Sequence, residues 1–575
     1  MSPITTSPSP IEAQLQAFAA ALERSIARVL PNAPPQPVVF ESPRRPEFGD
    51  FATNAAFALA KHARKAPLAL TTELLADLRV HEATVADQFA MIEVRAGFIN
   101  LRLAPAVWRN VLAEILARGD SYGQQPSNGQ RISLEFGSAN PTGPLVVVQG
   151  RALSVGDALA RAMRLCGYHV FVEWIINDAG RQVEMLGRSI YARYCQTFDT
   201  NAAFPEDGYP GAYLLPIAQS IAETDGRRWL DAQEGLWLPH FTTVGRNELV
   251  EQQQRSVANF GVVYDLWQSE KELHENGHVT TAVQRLVDAG ATYVADGATY
   301  FRATEFGDDK DRVMVRSDGR PTYFAPDVAY HFDKLQRADH VIDILGPDHH
   351  GYIGRLAGLA TALGYEGKLE VVIAQHVTLV RNGETVSSSK RAGEIITLDE
   401  VVNEVGVDAA RFFFTMLSPE QPLKFDLSLA LEKSNENPVF YVQYGHARIA
   451  SILRNAHQDD IVATATDPLT ALESPAEIGL IRRLADFSRT VQAAVEHRAP
   501  HRIAHYAREV AGDFHAFYAE SKILCDDRPT RIARLALAIA TKRVLGTALG
   551  LLGVSAPELM EREVAPEPPP ESPHR

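Results

Sequence analysis

The chain has 575 residues, room for roughly three or four domains, and is 46% hydrophobic and 22% charged, the composition of a soluble globular protein. No apolar run approaches the roughly 18 residues of a membrane span, and the opening residues, MSPITTSPSP, lack the basic and apolar regions of a signal peptide. A net charge of −15 excludes a general nucleic-acid coat but not a local basic patch, and three scattered cysteines (Cys166, Cys195, Cys525) exclude a disulfide framework or CxxC site and fit a reducing cytosol.

Residues 11–30 place Leu15, Phe18, Leu22, Ile26 and Val29 at helical spacing until the prolines from Pro31 to Pro37 break the pattern. A loop over 46–54, ending at Asn54, leads into another helix, and Gly97 to Leu101 closes a small α+β unit near residue 105. From about 130 to 430, strand-like runs (Arg131 to Phe136, Tyr168 to Ile176, Val313 to Arg316, His340 to Leu345, Leu369 to Ile373) alternate with helices. Such alternation predicts a parallel sheet with right-handed crossovers. Residues from about 200 to 300 are helical and charged and read as an insertion in that sheet. From about 435 to 560 the pattern is helical throughout, and the Pro-rich tail is expected to be disordered. Basic candidates for nucleic acid are Arg44, Arg45, Lys61, Arg64 and Lys65, and the helix bearing Arg528, Arg531, Arg534, Lys542 and Arg543; each also reads as a solvated face.

Four segments carry chemistry. Glu135 to Arg151 runs from a strand through a Pro/Gly turn into a helix with Leu153, Leu159, Met163 and Leu165 on its apolar side. Strand, tight turn, helix offers free backbone N–H groups to a phosphate. Glu135 and Asn140 at the ends of this turn suit a cationic or amino-acid ligand, or merely fix the turn. In Pro321 to Tyr330, Tyr323 and Asp327 stand four residues apart on one helical face. A carboxylate beside an aromatic ring suits a planar guanidinium, although Asp327 also reads as a surface acid. Gly346 to Tyr352, with Asp348, His349 and His350, follows an apolar strand, and strand C-termini are where open α/β sheets bind ligands. Adjacent histidines point apart and no third ligand follows at useful spacing, so no metal site is expected. Thr385 to Gly393 sets three serines before Lys390 and Arg391, a cationic loop suited to a pyrophosphate leaving group or simply a solvated one.

Together these segments resemble the arginyl-tRNA synthetases, class I enzymes of bacterial type, over about residues 40–560. Asn177 to Gln182, Phe306 to Arg312 and Asn437 to Tyr444 share the resemblance. It implies a multidomain α/β protein: a tRNA-elbow-binding α+β domain at 1–105, a Rossmann-like parallel-sheet catalytic domain at 106–430 with the insertion at about 200–300, an all-α helical anticodon-binding domain at 431–562 and a tail at 563–575. It implies ATP-dependent activation of L-arginine to arginyl-adenylate and transfer to the 3′ end of tRNA(Arg), with ATP as substrate and Mg²⁺ helping, in a cytoplasmic monomer with no membrane association. Glu135, Asn140, Tyr323, Asp327 and His349 become expected arginine contacts. Thr142, Gly143, Pro144, Val148, Gln149, Gly150, Asp348, Ser388 and Lys390 become expected ATP contacts. Lys390, Ser389 and Gln149 take catalytic roles, and Asn54, Tyr441, Tyr444 and Arg448 face tRNA, the two tyrosines reading equally as core aromatics.

Two departures stand out. Where the family has a histidine-any-glycine-histidine tetrad, this chain has Val146, Val147, Val148 and Gln149; where it has lysine-methionine-serine-lysine-arginine, Ser387 and Ser388 replace the first two residues. One lost phosphate donor is worth about 2.7–4 kcal/mol of barrier. The expectation is a working synthetase in which Gln149, backbone N–H groups and the 387–390 loop share the load. The alternatives are a catalytically impaired relative that binds tRNA or arginine as a regulator, and a different nucleotide-dependent ligase on the same fold.

Overall fold

The computed structural model describes residues 9–43, 45–198, 203–386, 396–458, 463 and 467–560, which fall into two compact units. The expected tail at 563–575 and the loop residues Ser387 to Arg391 lie outside the described residues. Among the described residues no helix is long and apolar enough to cross a membrane.

The first unit runs to Tyr122 and takes in Gly445–Phe487 and Glu509–Leu545. Its opening helix, Pro10–Val29, starts at a capping box in which Ser9 Oγ accepts from the Glu12 N–H while Glu12 reaches back to the Ser9 N–H. Phe18 and Leu22 on its apolar face are fully buried. Strands β1 (Phe51–Thr53), β2 (Phe89–Arg95) and β3 (Phe98–Leu103) form an antiparallel sheet in the order β1-β3-β2. The C-terminal helical segments of this unit bury Leu480, Ile481, Phe514, Phe517 and Leu537.

The second unit, from Gly123 to Tyr444 with two C-terminal segments, holds the expected parallel sheet. Strands β4 (Arg131–Phe136), β5 (His169–Ile176) and β6 (Leu266–Ser269) come first. A small antiparallel sheet follows, of β7 (Thr292–Ala295), β8 (Ala298–Phe301) and β9 (Arg312–Val315). Strands β10 (His340–Leu345) and β11 (Leu369–Ile373) complete the main sheet, whose order is β11-β10-β4-β5-β6 with every neighbour parallel. Strand β6 corrects one expectation: it lies inside the stretch read as an insertion, yet extends the sheet. The inserted part proper is a helical cluster (Arg181–Phe198, Leu214–Asp225, Glu234–Asn259) around Leu186, Ile190, Trp237 and Phe241. Strand β6 is four residues long and its Trp and Gln disguise it among helical neighbours.

Side chains alternate across a strand, so Glu135 and Phe136 at the end of β4 face opposite sides of the sheet. Glu135 meets helix Phe324–Arg337, whereas Phe136 packs on helix Val147–Leu165 at Gly156. The two helices therefore cover opposite faces, as in a doubly wound sheet. A Cβ on Gly156 would overlap the Phe136 ring. Gly156→Ala is expected to cost about 1–3 kcal/mol through overpacking, read as a lower midpoint in urea.

Candidate active site

The turn after β4 begins with Gly137 at φ +77°, a conformation that L side chains rarely adopt. It delivers Ser138, whose Oγ donates to Glu135 Oε1 (2.9 Å) and accepts from the Ile175 N–H (3.1 Å), tying β4 to β5. Beyond the strand ends lies a cavity of about 350 Å³. Its floor includes Glu135, Asp343 and Ile175. One side carries Asp327, Tyr330 and His331 from helix Phe324–Arg337, and another carries Val148, Gln149 and Ala152 from helix Val147–Leu165.

Beneath this floor is a row of acids. Asp343 on β10 is in register with Glu135 on β4, which is in register with Glu173 on β5. Like charges side by side on neighbouring strands repel. Helix Phe324–Arg337 answers with His331, Lys334 and Arg337, each three residues from the next along one side of the helix. The fully buried Lys334 ammonium donates to Glu135 Oε2 (2.7 Å) and to Asp343. Arg337 pairs with Glu173 and with Asp333 (2.8 Å), and Ser133 donates to Glu173. His331 Nδ1 donates to the Asp327 carbonyl (2.7 Å) and Nε2 donates to Asp343 Oδ2 (2.9 Å). Two acceptors require two N–H groups, so the ring is an imidazolium. Burial opposes that charge, but the hydrogen bond and charge of Asp343 outweigh it and raise the His331 pKa. Burial likewise opposes the charge of Asp343, and Lys334 and His331 overcome it, holding the carboxyl at about 2. Glu135, His331 and Asp343 offer ligand atoms within 4.8 Å of one another, a cluster that suits a cation, and the Lys334 ammonium is that cation.

Three acids and three cations balance, and Asp327 is left over. It sits in the first turn of its helix, half-buried, with no ion-pair partner among the described residues. Burial is the main cause that pushes its pKa up to about 6; the His331 charge pulls the other way and Glu135 pushes it further up. Behind it stands Glu270, pushed up to about 7 by burial and then by the charges of Asp327 and Asp178. Asp178 itself is satisfied by Arg246 (Nε at 2.9 Å), the Ser269 hydroxyl and the Lys271 N–H. This part of the site thus holds two acids short of a positive charge.

The other side of the cavity is different in kind. Gln149 Oε1 accepts from the Val146 N–H (3.1 Å), closing the first turn of helix Val147–Leu165. Two residues on, Arg151 is fully buried and, among the described residues, donates to the carbonyls of Gln375 (2.9 Å), His376 (3.4 Å) and Ser418 (2.9 Å). His376 and His349 line the cavity, His349 edge-on to Tyr352.

Of the residues singled out from sequence, Glu135, Asn140, Val148, Gln149, Asp327, Asp348 and His349 line this one cavity. Asn140 joins Gln182 (2.7 Å) and Asn177 (3.0 Å) in an amide chain at its rim. Thr142, Gly143, Pro144, Gly150 and Tyr323 are not in the lining. The Thr142 and Gly143 carbonyls accept from Tyr213 and Gln253, and Gly150 lets Leu398 and Phe414 approach the helix. Tyr323 is 63% exposed, its ring over Gly180 and its hydroxyl accepting from the Arg181 N–H (3.5 Å). Ser388, Ser389 and Lys390 lie outside the described residues. In the first unit, Asn54 precedes helix Ala55–Ala63 and is exposed, and Arg448 lies over the Tyr518 ring; in the second, Tyr444 stacks on Phe440 and Tyr441 is half-buried. Sequence reading passed over Lys334, His331, Asp343, Glu173, Glu270 and His376. A signal existed for some of them: each of the apolar strands RISLEF, HVFVEWII and HVIDIL carries one acid, and His331, Lys334 and Arg337 repeat at helical spacing.

A parallel sheet with a ligand pocket at its C-terminal edge and a helix N-terminus beside it fits a class I aminoacyl-tRNA synthetase, and the family model described as "tRNA synthetases class I (R), catalytic domain" matches residues 242–414. The models "Arginyl tRNA synthetase N terminal domain" and "DALR anticodon binding domain" match residues 15–103 and 442–560. The chain belongs to the arginyl-tRNA synthetase family. It is 42% identical to the arginine–tRNA ligase of Desulforamulus reducens over 91% of this chain and 94% of that one, and 41% identical to that of Syntrophotalea carbinolica over 90% and 94%. The Thermus thermophilus arginyl-tRNA synthetase structure, 23% identical, shares the fold with a TM-score of 0.72 over 95% of this chain and 100% of that one.

Proposed function

We propose that the chain ligates L-arginine to tRNA(Arg) in two steps. The arginine carboxylate attacks the α-phosphate of ATP, giving arginyl-adenylate and pyrophosphate; a hydroxyl of the 3′-terminal ribose then takes the aminoacyl group and AMP leaves. The observation that carries this reading is the half-buried Asp327 carboxyl, without an ion-pair partner among the described residues, with Glu270 behind it. A guanidinium supplies the missing positive charge and enough donors for both acids. Glu135, held by Lys334 and Ser138, faces the α-ammonium group, and Asn140 faces the carboxylate. Tyr323 contacts the arginine from outside the cavity lining, and His349 contacts the adenylate.

The triphosphate lies toward the start of helix Val147–Leu165, where unsatisfied N–H groups and the Gln149 amide meet it. Ser389 and Lys390 offset charge on the departing pyrophosphate, with Ser388 beside them. Asp348 is exposed at the cavity rim with no ion-pair partner among the described residues, a fit for Mg²⁺ carried on the phosphates. It would hold the ion, which supplies charge neutralisation when bound. Residues 1–105 take the tRNA elbow, with Asn54 at that surface. Residues 431–562 read the anticodon with Tyr441, Tyr444 and Arg448, in a cytoplasmic monomer.

Arginine-dependent ATP–pyrophosphate exchange with tRNA supplied tests the reading. Arginine is expected to support exchange, and citrulline or lysine to support it at least about a thousandfold less well, because a site built for a hydrogen-bonding group rejects ligands lacking it. Exchange no higher than that of Lys390→Ala would leave only a regulator that binds tRNA or arginine.

A further inference from the structure

The nucleotide side of the cavity is short of donors. Val146 and Val148 have no polar side-chain atom, and Gln149 uses its carbonyl on the Val146 N–H, leaving the amide nitrogen. The same side presents a ring that the resemblance does not mark. His376 is exposed and lines the cavity with Val148, Gln149 and Ala152. Its backbone is held from two directions: the carbonyl accepts from the Leu423 N–H (2.9 Å) and from Arg151 Nη1 (3.4 Å), and that same nitrogen donates to the Gln375 carbonyl (2.9 Å).

Arg151 is an unusual anchor. Among the described residues it has no carboxylate partner, its Nε is buried without an acceptor, and its three partners are all backbone carbonyls. Burial lowers its pKa to about 10, which leaves it cationic at neutral pH. A desolvated cation without an acid is costly for the fold. Here it fixes the 375–376 backbone and sets positive charge two residues along the helix from Gln149.

We infer that His376 is a catalytic residue that donates a ring N–H to the ATP phosphates, in place of the imidazoles that Val146 and Gln149 do not provide, and that Arg151 positions it. The inference rests on the reading of this cavity as an arginine and ATP site.

The test is arginine-dependent pyrophosphate exchange with His376→Ala, checked by thermal melting for an intact fold. Loss of one donor is expected to lower kcat/KM for ATP by about a hundredfold, with the KM for arginine within about threefold of its starting value. Adding Val146→His and Gln149→His to His376→Ala is expected to recover at least about tenfold of that loss, which a merely structural role for His376 would not allow. A fall of less than about threefold, an equal rise in the arginine KM, or no recovery with the paired histidines overturns the inference while wild-type exchange persists. Absence of arginine-dependent exchange in the wild type overturns the underlying functional reading instead.

Discussion

Asp327→Asn is expected to abolish arginine activation while leaving the unliganded protein at least as stable as before. Truncating one partner of a desolvated charge pair costs about 2–5 kcal/mol, so the arginine KM should rise by roughly 30-fold to several thousandfold. The ATP KM should change little, since the substituted group faces the guanidinium. The stability half follows from the sign of the pKa shift. In the fold the Asp327 carboxyl sits at about 6, above its ordinary value of 3.8. An acid with a raised folded pKa penalises the fold above that pKa, and the penalty is relieved as pH falls through about 6. The asparagine variant lacks the penalty, so its melting temperature near pH 7 should equal or exceed that of the parent, and the gap should narrow below pH 6 and close only near pH 4. In the parent, kcat/KM for arginine should fall on the acid side near pH 6, because the free enzyme must carry the carboxylate to receive the substrate. Arginine binding should also release protons from Asp327 and Glu270, visible by calorimetry in buffers of differing ionisation enthalpy. An unchanged arginine KM in the variant would remove Asp327 from the substrate site.

Lys334→Met is expected to be the most damaging single change to the fold of the second unit. It keeps most of the apolar stem and leaves Asp343 and Glu135 buried without their ammonium. Breaking a buried pair from one side costs about 3–5 kcal/mol. The depressed Asp343 pKa, about 2 against an ordinary 3.8, stabilises the fold above pH 4, and that increment is lost as pH falls toward 2. Without Lys334 the carboxyl must rise instead, so the variant should lose less stability at pH 5 than at pH 7 in urea titrations. Adding Asp343→Asn should return part of the loss, because it removes the stranded charge. A loss below about 1 kcal/mol at pH 7 would mean that the cluster is solvated and not the sealed network described above.

Much of the site was legible because its residues sit in turns, where sequence carries geometry. Glu135 and Asn140 bracket a Pro/Gly turn, and Asp348 and His349 follow an apolar strand. The charge cluster below was not legible as a unit. Its acids are spread over β4, β5 and β10, the Lys334–Glu135 pair alone spans 199 residues of chain, and only the sheet order brings the acids level. Glu270 was hidden likewise, inside a stretch read as an insertion. His376 lies in a short link between two strands, without turn residues to advertise it. The elements themselves were clearer: β4, β10 and β11 fall where apolar runs placed them, whereas the four-residue β6 did not announce itself.

The stripe of cations on helix Phe324–Arg337 works like the teeth of a rack. Each tooth has its own acid beneath it, so a slide of one turn, about 5.4 Å, would leave a cation unmatched at one end and an acid at the other. Low-friction shear between this helix and its three strands is thereby forbidden. Helix and strands are thus held as one block, and any change in the cavity's shape falls to the segments that join them.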